Sequence, residues 1–242
     1  MRVAVVSDIH SNLHALEAAL EAIDADAPDE LWCLGDVVGY GPRPNECCDL
    51  VAARADVCLA GNHDLAIIGA IDLDEFHGDA ALAARANRDA LTPQSRAFLA
   101  GLEPEGRAHG VALYHGSARD PVWEYVLSDD AALATLALAG VPLVLVGHSH
   151  VALQITASGD DVDGGFAPAG TVVDLDTPAT LLNPGSVGQP RDGDPRAAYL
   201  LLDLTARRAE FRRVEYDIAR TQSEMEDAGL PRLLAARLAF GQ

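Results

Sequence analysis

Side chains that can bind metal ions recur in this sequence where short apolar segments end. Asp8 and His10 follow the β-branched run 3–6, and Gly35-Asp36 follows the apolar segment 31–34. The full set with this placement is Asp8, His10, Asp36, Asn62, His63, His115, His148 and His150, which includes five of the chain's eight histidines. Because parallel strands end at a common edge of a sheet, we expect these side chains on one rim. Carboxylates and imidazoles in one cluster are typical of a metal site.

The elements that position these residues alternate between strand and helix. After the first strand, Leu16, Leu20 and Ile23 recur at helical spacing, and Ser11 or Asn12 can cap that helix. Further strands are predicted at 31–34, 56–60, 111–114 and 142–146, and further helices at 44–55 and 129–138. The Ala-rich stretch 65–102 predicts a helical layer with a break near Thr92-Pro93.

The second part of the chain is richer in strands. Strand patterns occupy 151–156, 171–175, 180–182, 198–204 and 210–216, separated by turns that include an exposed one at 159–165. They predict an antiparallel second sheet packed on the first. One or two helices are expected over about 217–240. We interpret 1–242 as a single α/β domain, with 65–102 as a helical insert.

Composition limits the partners and the compartment. The formal net charge is −20, from 37 acidic residues against 17 basic ones, all of them arginine. Such a surface repels long nucleic acids and anionic membranes, and a small anionic substrate needs a local cluster of cations. No apolar stretch is long enough for a membrane span and Met1 leads straight into a strand, so we expect a cytoplasmic protein with four reduced cysteines.

Taken in order, the motifs resemble those of one known family. Asp8-x-His10, Gly35-Asp36, Gly61-Asn62-His63-Asp64, His115 and Gly147-His148-x-His150 resemble the calcineurin-like metallophosphoesterases. The segments GDVVGYGPRPNEC, HGSxRDPxWEY and NPGSVGQPRD are similar to a branch of small bacterial and archaeal phosphodiesterase-like proteins. The resemblance implies an α/β fold, a four-layer α/β/β/α sandwich with two mixed β-sheets.

The resemblance also implies a division of roles at the site. One metal ion is expected on Asp8, His10, Asp36 and His150, and a second on Asp36, Asn62, His115 and His148. These ligand types suit Mn, which we favour, or Fe, Co, Ni or Zn. A hydroxide bridging the two metals is expected to attack phosphorus, with His63 as the general acid for the leaving group.

Other residues have two interpretations each. Arg119 and Arg191 can clamp a phosphate or can be ordinary surface arginines. Tyr40, Trp123 and Tyr125 can line the leaving-group pocket or belong to a satellite core. Asp64 is expected to cap a helix, with a catalytic role as the alternative. His14, His77 and His109 are expected to be structural or solvent-facing.

The sequence departs from the phosphoprotein phosphatase branch. That branch carries Asp and Arg after its Gly-Asp motif and an Arg after Asn-His-Glu, whereas this chain has Val38-Gly39-Tyr40 and Asp64-Leu65. We therefore expect a small phosphodiester or a phosphoanhydride, such as a dinucleoside polyphosphate, as substrate. The alternatives are a phosphomonoesterase or protein phosphatase, and a metal-binding scaffold without activity. The net charge disfavours a nuclease. The natural substrate, the physiological metal and the oligomeric state stay open.

Overall fold

A computed structural model describes residues 1–159, 161–176 and 179–242. Within them the strands are β1 (Arg2–Val6), β2 (Glu30–Cys33), β3 (Val57–Cys58), β4 (Glu105–Ala108), β5 (Val111–Tyr114), β6 (Leu143–Val146), β7 (Ala152–Ser158), β8 (Asp161–Phe166), β9 (Val172–Asp174), β10 (Ala179–Pro184), β11 (Ala197–Asp203) and β12 (Arg208–Val214). The α-helices are α1 (Leu13–Asp26), α2 (Pro44–Arg54), α3 (Asn62–Ile68), α4 (Gly78–Ala90), α5 (Pro93–Leu99), α6 (Asp129–Ala139), α7 (Ile218–Asp227) and α8 (Arg232–Arg237), and short 3-10 helices occupy Leu73–Glu75 and Leu238–Phe240.

The strands form two mixed sheets. Their orders are β3-β2-β1-β11-β12-β9 and β4-β5-β6-β10-β7-β8. In the first sheet β1 is parallel to β2 and antiparallel to β11, and in the second β10 is parallel to β6 and antiparallel to β7. The predicted fold is confirmed. The expected all-antiparallel second sheet is wrong, because the strands after residue 150 extend both sheets instead of forming one of their own.

The protein has four layers, because each sheet packs one face against the other sheet and its opposite face against helices. Along β1, Val3 and Val5 pack between the two sheets while Ala4 and Val6 face the helices. Trp32 and Phe211, among the largest buried side chains, also lie between the sheets. On the far face of the second sheet, residues of α6 pack against β5 and β6. Burying each large apolar side chain contributes roughly 1.5–3 kcal/mol, so this double core fixes the strand ends that carry the site.

Local signals account for most element boundaries. The side chain of Asn12 accepts a hydrogen bond from the backbone N–H of Ala15 and so caps α1, one of the two predicted caps. Thr92 caps α5, which begins at Pro93 as predicted. The predicted exposed turn at 159–165 is wrong in part, because 161–166 form β8, a polar edge strand paired with β7; Asp160 lies outside the described residues. The four cysteines are free thiols.

In the described part of the chain, every helix is too short or too polar to cross a membrane.

Candidate metal centre

The predicted ligands lie in loops at the strand ends and are almost fully buried. Asp8 and His10 follow β1, Asp36 follows β2, His115 follows β5, and His148 and His150 follow β6. Asn62 and His63 open α3. Backbone hydrogen bonds tie these loops together: His10 N–H donates to the Asp36 carbonyl at 2.9 Å and Gly147 N–H to the His115 carbonyl at 2.8 Å. The structure thus brings residues from five separate loops to one rim.

Five of the predicted ligands have a left-handed backbone. The φ angles are 54° at Asp8, 51° at His10, 52° at Asp36, 62° at His148 and 59° at His150. This conformation costs a non-glycine residue of order 1 kcal/mol or more, and such residues concentrate at functional sites. Each of these turns directs a side chain into the shared volume.

The ligand atoms fall into two clusters that share one residue. Asp8, His10, Asp36 and His150 offer atoms that all lie within 4.8 Å of one another, and so do Asp36, His115 and His148. Asn62 Oδ1 lies 3.2 Å from His115 Nε2, beside the second cluster. These are the two ligand sets that the family resemblance implies, with Asp36 common to both.

The tautomers of the imidazoles fit bound cations. His10 Nδ1 lies 3.2 Å from the Val38 carbonyl and His150 Nδ1 lies 2.6 Å from the Gln189 carbonyl. A carbonyl only accepts, so both Nδ1 atoms carry the proton and both Nε2 atoms carry lone pairs. The two Nε2 atoms are 2.9 Å apart. Lone pairs repel at that distance unless a cation lies beside both, as it does in a metal site.

The carboxylates fit cations for the same reason. Asp8 Oδ1 and Asp36 Oδ2 are buried and have no hydrogen-bond partner among the described residues. Burial raises the pKa of Asp8 to about 7. Burial, with the charges of Asp64 and Asp8, raises the pKa of Asp36 well above its usual value. A buried acceptor without a donor costs roughly 1–3 kcal/mol, and a bound metal ion removes that cost.

The histidines are in the form that binds metals. Burial lowers the pKa of His115 to about 4 and the pKa values of His10, His148 and His150 well below 6.5. The rings are therefore neutral at neutral pH. His148 Nε2 lies 3.1 Å from the Trp123 carbonyl, which makes it the protonated nitrogen and leaves Nδ1 as the lone pair.

His63 lies beside the clusters and belongs to neither. Its ring packs against His10, Tyr40 and Phe76 at centroid distances of 4.8, 4.4 and 4.6 Å. Its Nδ1 is buried without a hydrogen-bond partner among the described residues. Burial and the charge of Arg191 lower its pKa well below 6.5. The ring therefore lies next to both clusters without contributing a ligand atom to either.

Asp64 has the contacts of a helix cap. Its carboxylate accepts from the backbone N–H groups of Gly61 at 2.9 Å, Val37 at 3.2 Å and Val38 at 3.0 Å. It therefore joins the start of α3 to the loop that follows Asp36, which is the structural role that the sequence favours.

A cleft of about 200 Å³ opens over the ligands. Its lining residues are Asp36, Tyr40, Asn62, His63, Glu75, Phe76, His77, Trp123, Tyr125, His148, His150 and Arg191. Tyr125 stacks on His148 at 4.1 Å between ring centroids. A larger groove of about 670 Å³ lies between β7, β8 and the start of α6, but it contains none of the predicted ligands. The candidate ligands are therefore reached through the smaller cleft.

The two weakly predicted arginines differ in position. Arg191 lines the cleft, as does Tyr40. Arg119 does not, because its guanidinium is bound by Glu124 and by Asp130, the latter at 2.9 Å. Since these carboxylates occupy its donors, we do not assign Arg119 to a phosphate. Glu124 and Asp130 lie 5 and 11 residues from it in the sequence, which is a signal that could have indicated the pairing.

Some lining residues were not predicted. Glu75, Phe76 and His77 come from the short segment before α4, and nothing in their local pattern indicates the site. His77 is exposed, as expected, and also borders the cleft.

Comparison with known proteins agrees with this geometry. The model of the calcineurin-like phosphoesterase superfamily domain matches residues 1–207. An uncharacterized protein of Methanocaldococcus jannaschii is 34% identical over 99% of this chain and 98% of its own length. The crystal structure of a metallophosphoesterase from Sphaerobacter thermophilus is 41% identical, with a TM-score of 0.91 over 100% of this chain and 99% of that one.

A shorter match is to a symmetrical bis(5'-nucleosyl)-tetraphosphatase of Pseudomonas fluorescens, 37% identical over 73 residues, which is 29% of this chain and 26% of that protein. The match to the family model covers most of the chain and coincides with the part that carries all the clustered ligands. The chain therefore belongs to the calcineurin-like phosphoesterase superfamily and is a metal-dependent hydrolase of phosphoric ester bonds.

Proposed function

We propose that this enzyme hydrolyses small phosphodiesters or phosphoanhydrides with two divalent transition-metal ions, Mn being the first choice. Asp8, His10, Asp36 and His150 would hold one ion, and Asp36, Asn62, His115 and His148 the other. The observation that supports this most is the pair of buried ligand clusters that share Asp36. When bound, two such ions lower the pKa of a water so that it attacks phosphorus at neutral pH, and they offset negative charge on the phosphoryl oxygens.

The protein's own part begins with orientation of the ligands. Backbone carbonyls of Val38, Gln189, Leu34 and Trp123 fix the rings of His10, His150, His115 and His148 by accepting from the nitrogen that does not face the clusters. Such outer hydrogen bonds set the tautomer and strengthen the ligand. The site is thus held in the form that metal ions need before they bind.

His63 would move the proton that the leaving group needs. It lines the cleft with Asp36 and Asn62 and is outside both clusters, so its nitrogen is available to a substrate. Protonation of a leaving oxygen by a placed imidazole typically contributes a factor of about 10² to 10⁴.

Three features favour small diesters and anhydrides over protein substrates. The cleft, at about 200 Å³, is below the usual range for drug-sized ligands and is walled by Phe76, Trp123 and Tyr125. The net charge of −20 disfavours long polyanions. The local similarity to a bis(5'-nucleosyl)-tetraphosphatase, whose name gives a nucleoside polyphosphate as its substrate, supports an anhydride.

The test is hydrolysis of bis(4-nitrophenyl) phosphate, 4-nitrophenyl phosphate and a dinucleoside polyphosphate with Mn, Fe, Co, Ni or Zn, paired with metal analysis. We expect turnover of the diester or the anhydride and two ions per chain. His63→Ala should keep both ions and lose about 10² to 10⁴ in kcat. The matched control is His109→Ala, since His109 is half-exposed and stacks on Trp32 away from the cleft. Loss of metal in His63→Ala, or no turnover with any ester, would reject the assignment.

A further inference from the structure

Two arginines beside the cleft lack the carboxylate partner that most arginines of this protein have. Arg191 lies in the loop after β10, and Arg237 is the last residue of α8. We call them the arginine pair. Among the described residues, ten of the 17 arginines have a carboxylate within 4.0 Å. Among the described residues, neither member of the arginine pair has one, in a chain with 37 acidic side chains.

The arginine pair instead shares neutral partners. Both guanidinium carbons lie over the ring of Tyr40, at 5.7 Å for Arg191 and 5.2 Å for Arg237. Both Nη2 atoms donate to Gln189 Oε1, the one from Arg191 at 3.1 Å. The Nε atoms of both are buried without a hydrogen-bond partner among the described residues. Two cations are therefore held close together with donors left unused.

This arrangement is unfavourable unless an anion binds to it. Like charges around one neutral oxygen repel, and a buried donor without an acceptor costs roughly 1–3 kcal/mol. Burial and the charge of Arg191 lower the pKa of Arg237. Phosphoryl oxygens fit guanidinium donors in geometry and charge.

The arginine pair adjoins the place where the leaving group would be. Arg191 lines the cleft, and its backbone N–H donates to the carbonyl of His150 at 3.1 Å. The ring of Tyr40, which both guanidinium groups face, is 4.4 Å from that of His63 between centroids. An anion at the arginine pair would thus lie next to the imidazole that we assign to the leaving oxygen.

We propose that Arg191 and Arg237 form a subsite for a second phosphoryl group, joined by an anhydride bond to the phosphoryl group at the metal ligands. This inference rests on the proposed function and names its substrate class as phosphoanhydrides. In the reaction, the hydroxyl of water goes to the attacked phosphorus, the P–O bond to the bridging oxygen breaks, and that oxygen leaves on the second phosphoryl group with a proton. Arg237 lies beyond the part matched by the family model, so α8 adds this specificity to the common fold.

The first test is binding to the Mn-loaded enzyme, measured by calorimetry with imidodiphosphate, which resists hydrolysis, and with inorganic phosphate. A hydrogen bond between charged groups contributes about 1.5–3 kcal/mol, which corresponds to about 10- to 100-fold in affinity. Arg237→Gln should weaken imidodiphosphate by that factor and phosphate by less than about 3-fold. Arg232→Gln, an exposed residue of the same helix, is the matched control and should change neither. Equal weakening of both anions, or no weakening, would overturn the proposal.

The second test is selectivity. The ratio of kcat/KM for a dinucleoside diphosphate to kcat/KM for bis(4-nitrophenyl) phosphate should fall about 10- to 100-fold in Arg237→Gln. Imidodiphosphate should inhibit competitively; noncompetitive inhibition would show a site for a separate anion and overturn the linked-phosphate assignment. If Arg237→Gln does not fold, Arg191→Gln, in a loop, is tested by the same ratio. If no ester or anhydride is hydrolysed, the proposed function fails, and the binding test still decides on the arginine pair.

Discussion

Replacing Asp8 by Asn should stabilise the metal-free protein while it removes metal binding and activity. Burial raises the pKa of Asp8 from its usual 3.8 to about 7, so keeping this carboxylate ionised above pH 7 opposes folding. At about 1.4 kcal/mol for each tenfold change in proton affinity, the upper limit is about 4 kcal/mol. Neighbouring Asp36 shares the burial and the repulsion, so we expect about 1–3 kcal/mol at pH 8.

The asparagine can also keep the local contacts. Asp8 Oδ2 accepts from the backbone N–H of His148 at 3.1 Å, which an amide oxygen can do as well. Asp8 Oδ1 lies 3.4 Å from His150 Nε2, a lone pair to which an amide N–H can donate. At about 2–4 °C for each kcal/mol in a chain of this size, a gain of about 1–3 kcal/mol should raise the Tm of chelated Asp8→Asn above that of the wild type by about 2–12 °C.

The assay is thermal unfolding with chelator and with excess Mn, at pH 8 and pH 5. Since a raised pKa stabilises at low pH and the benefit is lost as pH rises through about 7, the advantage of Asp8→Asn in chelator should be smaller at pH 5. In Mn at about 1,000 times its Kd the order should reverse, because metal that binds only the folded state then adds about 4.1 kcal/mol to the wild type, more than the advantage of the variant. Asp89→Asn, at an exposed position, is the matched control. A lower Tm for chelated Asp8→Asn at pH 8 would refute the reasoning.

Two further substitutions test the supports of the site. Gly39 has φ +110°, and an added Cβ would lie 2.6 Å from His63 Nδ1 and 3.1 Å from His10 Nδ1. Gly39→Ala should therefore lower kcat at least tenfold, and by a larger factor than it lowers metal content. Gly69→Ala, at φ +85° with nothing within 4 Å of an added Cβ, should lower only Tm, and equal effects of the two substitutions on kcat would contradict this. The hydrogen bond from Arg43 lowers the pKa of Glu224 to about 2. The ionised Glu224 therefore stabilises the folded protein above the usual pKa of a glutamate, and this stabilisation is lost as the pH falls from about 5 toward 2. Glu224→Gln should therefore lower Tm at pH 7 by about 1–3 °C, with a gap that narrows below pH 5 in unfolding scans, and a gap unchanged at pH 3 would count against the pairing.

The sequence predicts where the candidate ligands lie because each of them is positioned by the strand that directly precedes it. A buried apolar run followed by Asp36 or His115 places that side chain at a strand's carboxyl end whatever the rest of the fold is. The partition of later strands between sheets depends on long-range pairing, and so the second sheet was predicted wrongly. Edge strand β8 is polar and has no alternating pattern, so hydrophobic periodicity does not predict it. The position of Arg237 depends on how α8 packs against the rest of the protein, and no local sequence pattern predicts that packing.

The left-handed backbone at the ligands was equally hidden. Aspartate and histidine adopt the left-handed backbone conformation more often than most residues, but the sequence does not indicate which of them do so. Hydrogen bonds between loops, such as that from His10 N–H to the Asp36 carbonyl, help to hold the turns in place. Those bonds exist because the two sheets bring the strand ends together.

Around one cleft, three groups of side chains lack a partner of opposite charge. Two of them would be stabilised by cations and the third by an anion. The lone pairs of His10 and His150 face each other at 2.9 Å, and Asp36 Oδ2 is buried without a donor among the described residues, an arrangement that bound cations would stabilise. Beside them, Arg191 and Arg237 have no carboxylate within 4.0 Å among the described residues and their Nε atoms have no hydrogen-bond partner, an arrangement that a bound anion would stabilise. A folded chain tolerates such conflicts where function requires them. Metal ions and a substrate with linked phosphates would stabilise all three arrangements together, whereas a monoester would leave Arg237 without an anionic partner, which is why we favour the anhydride.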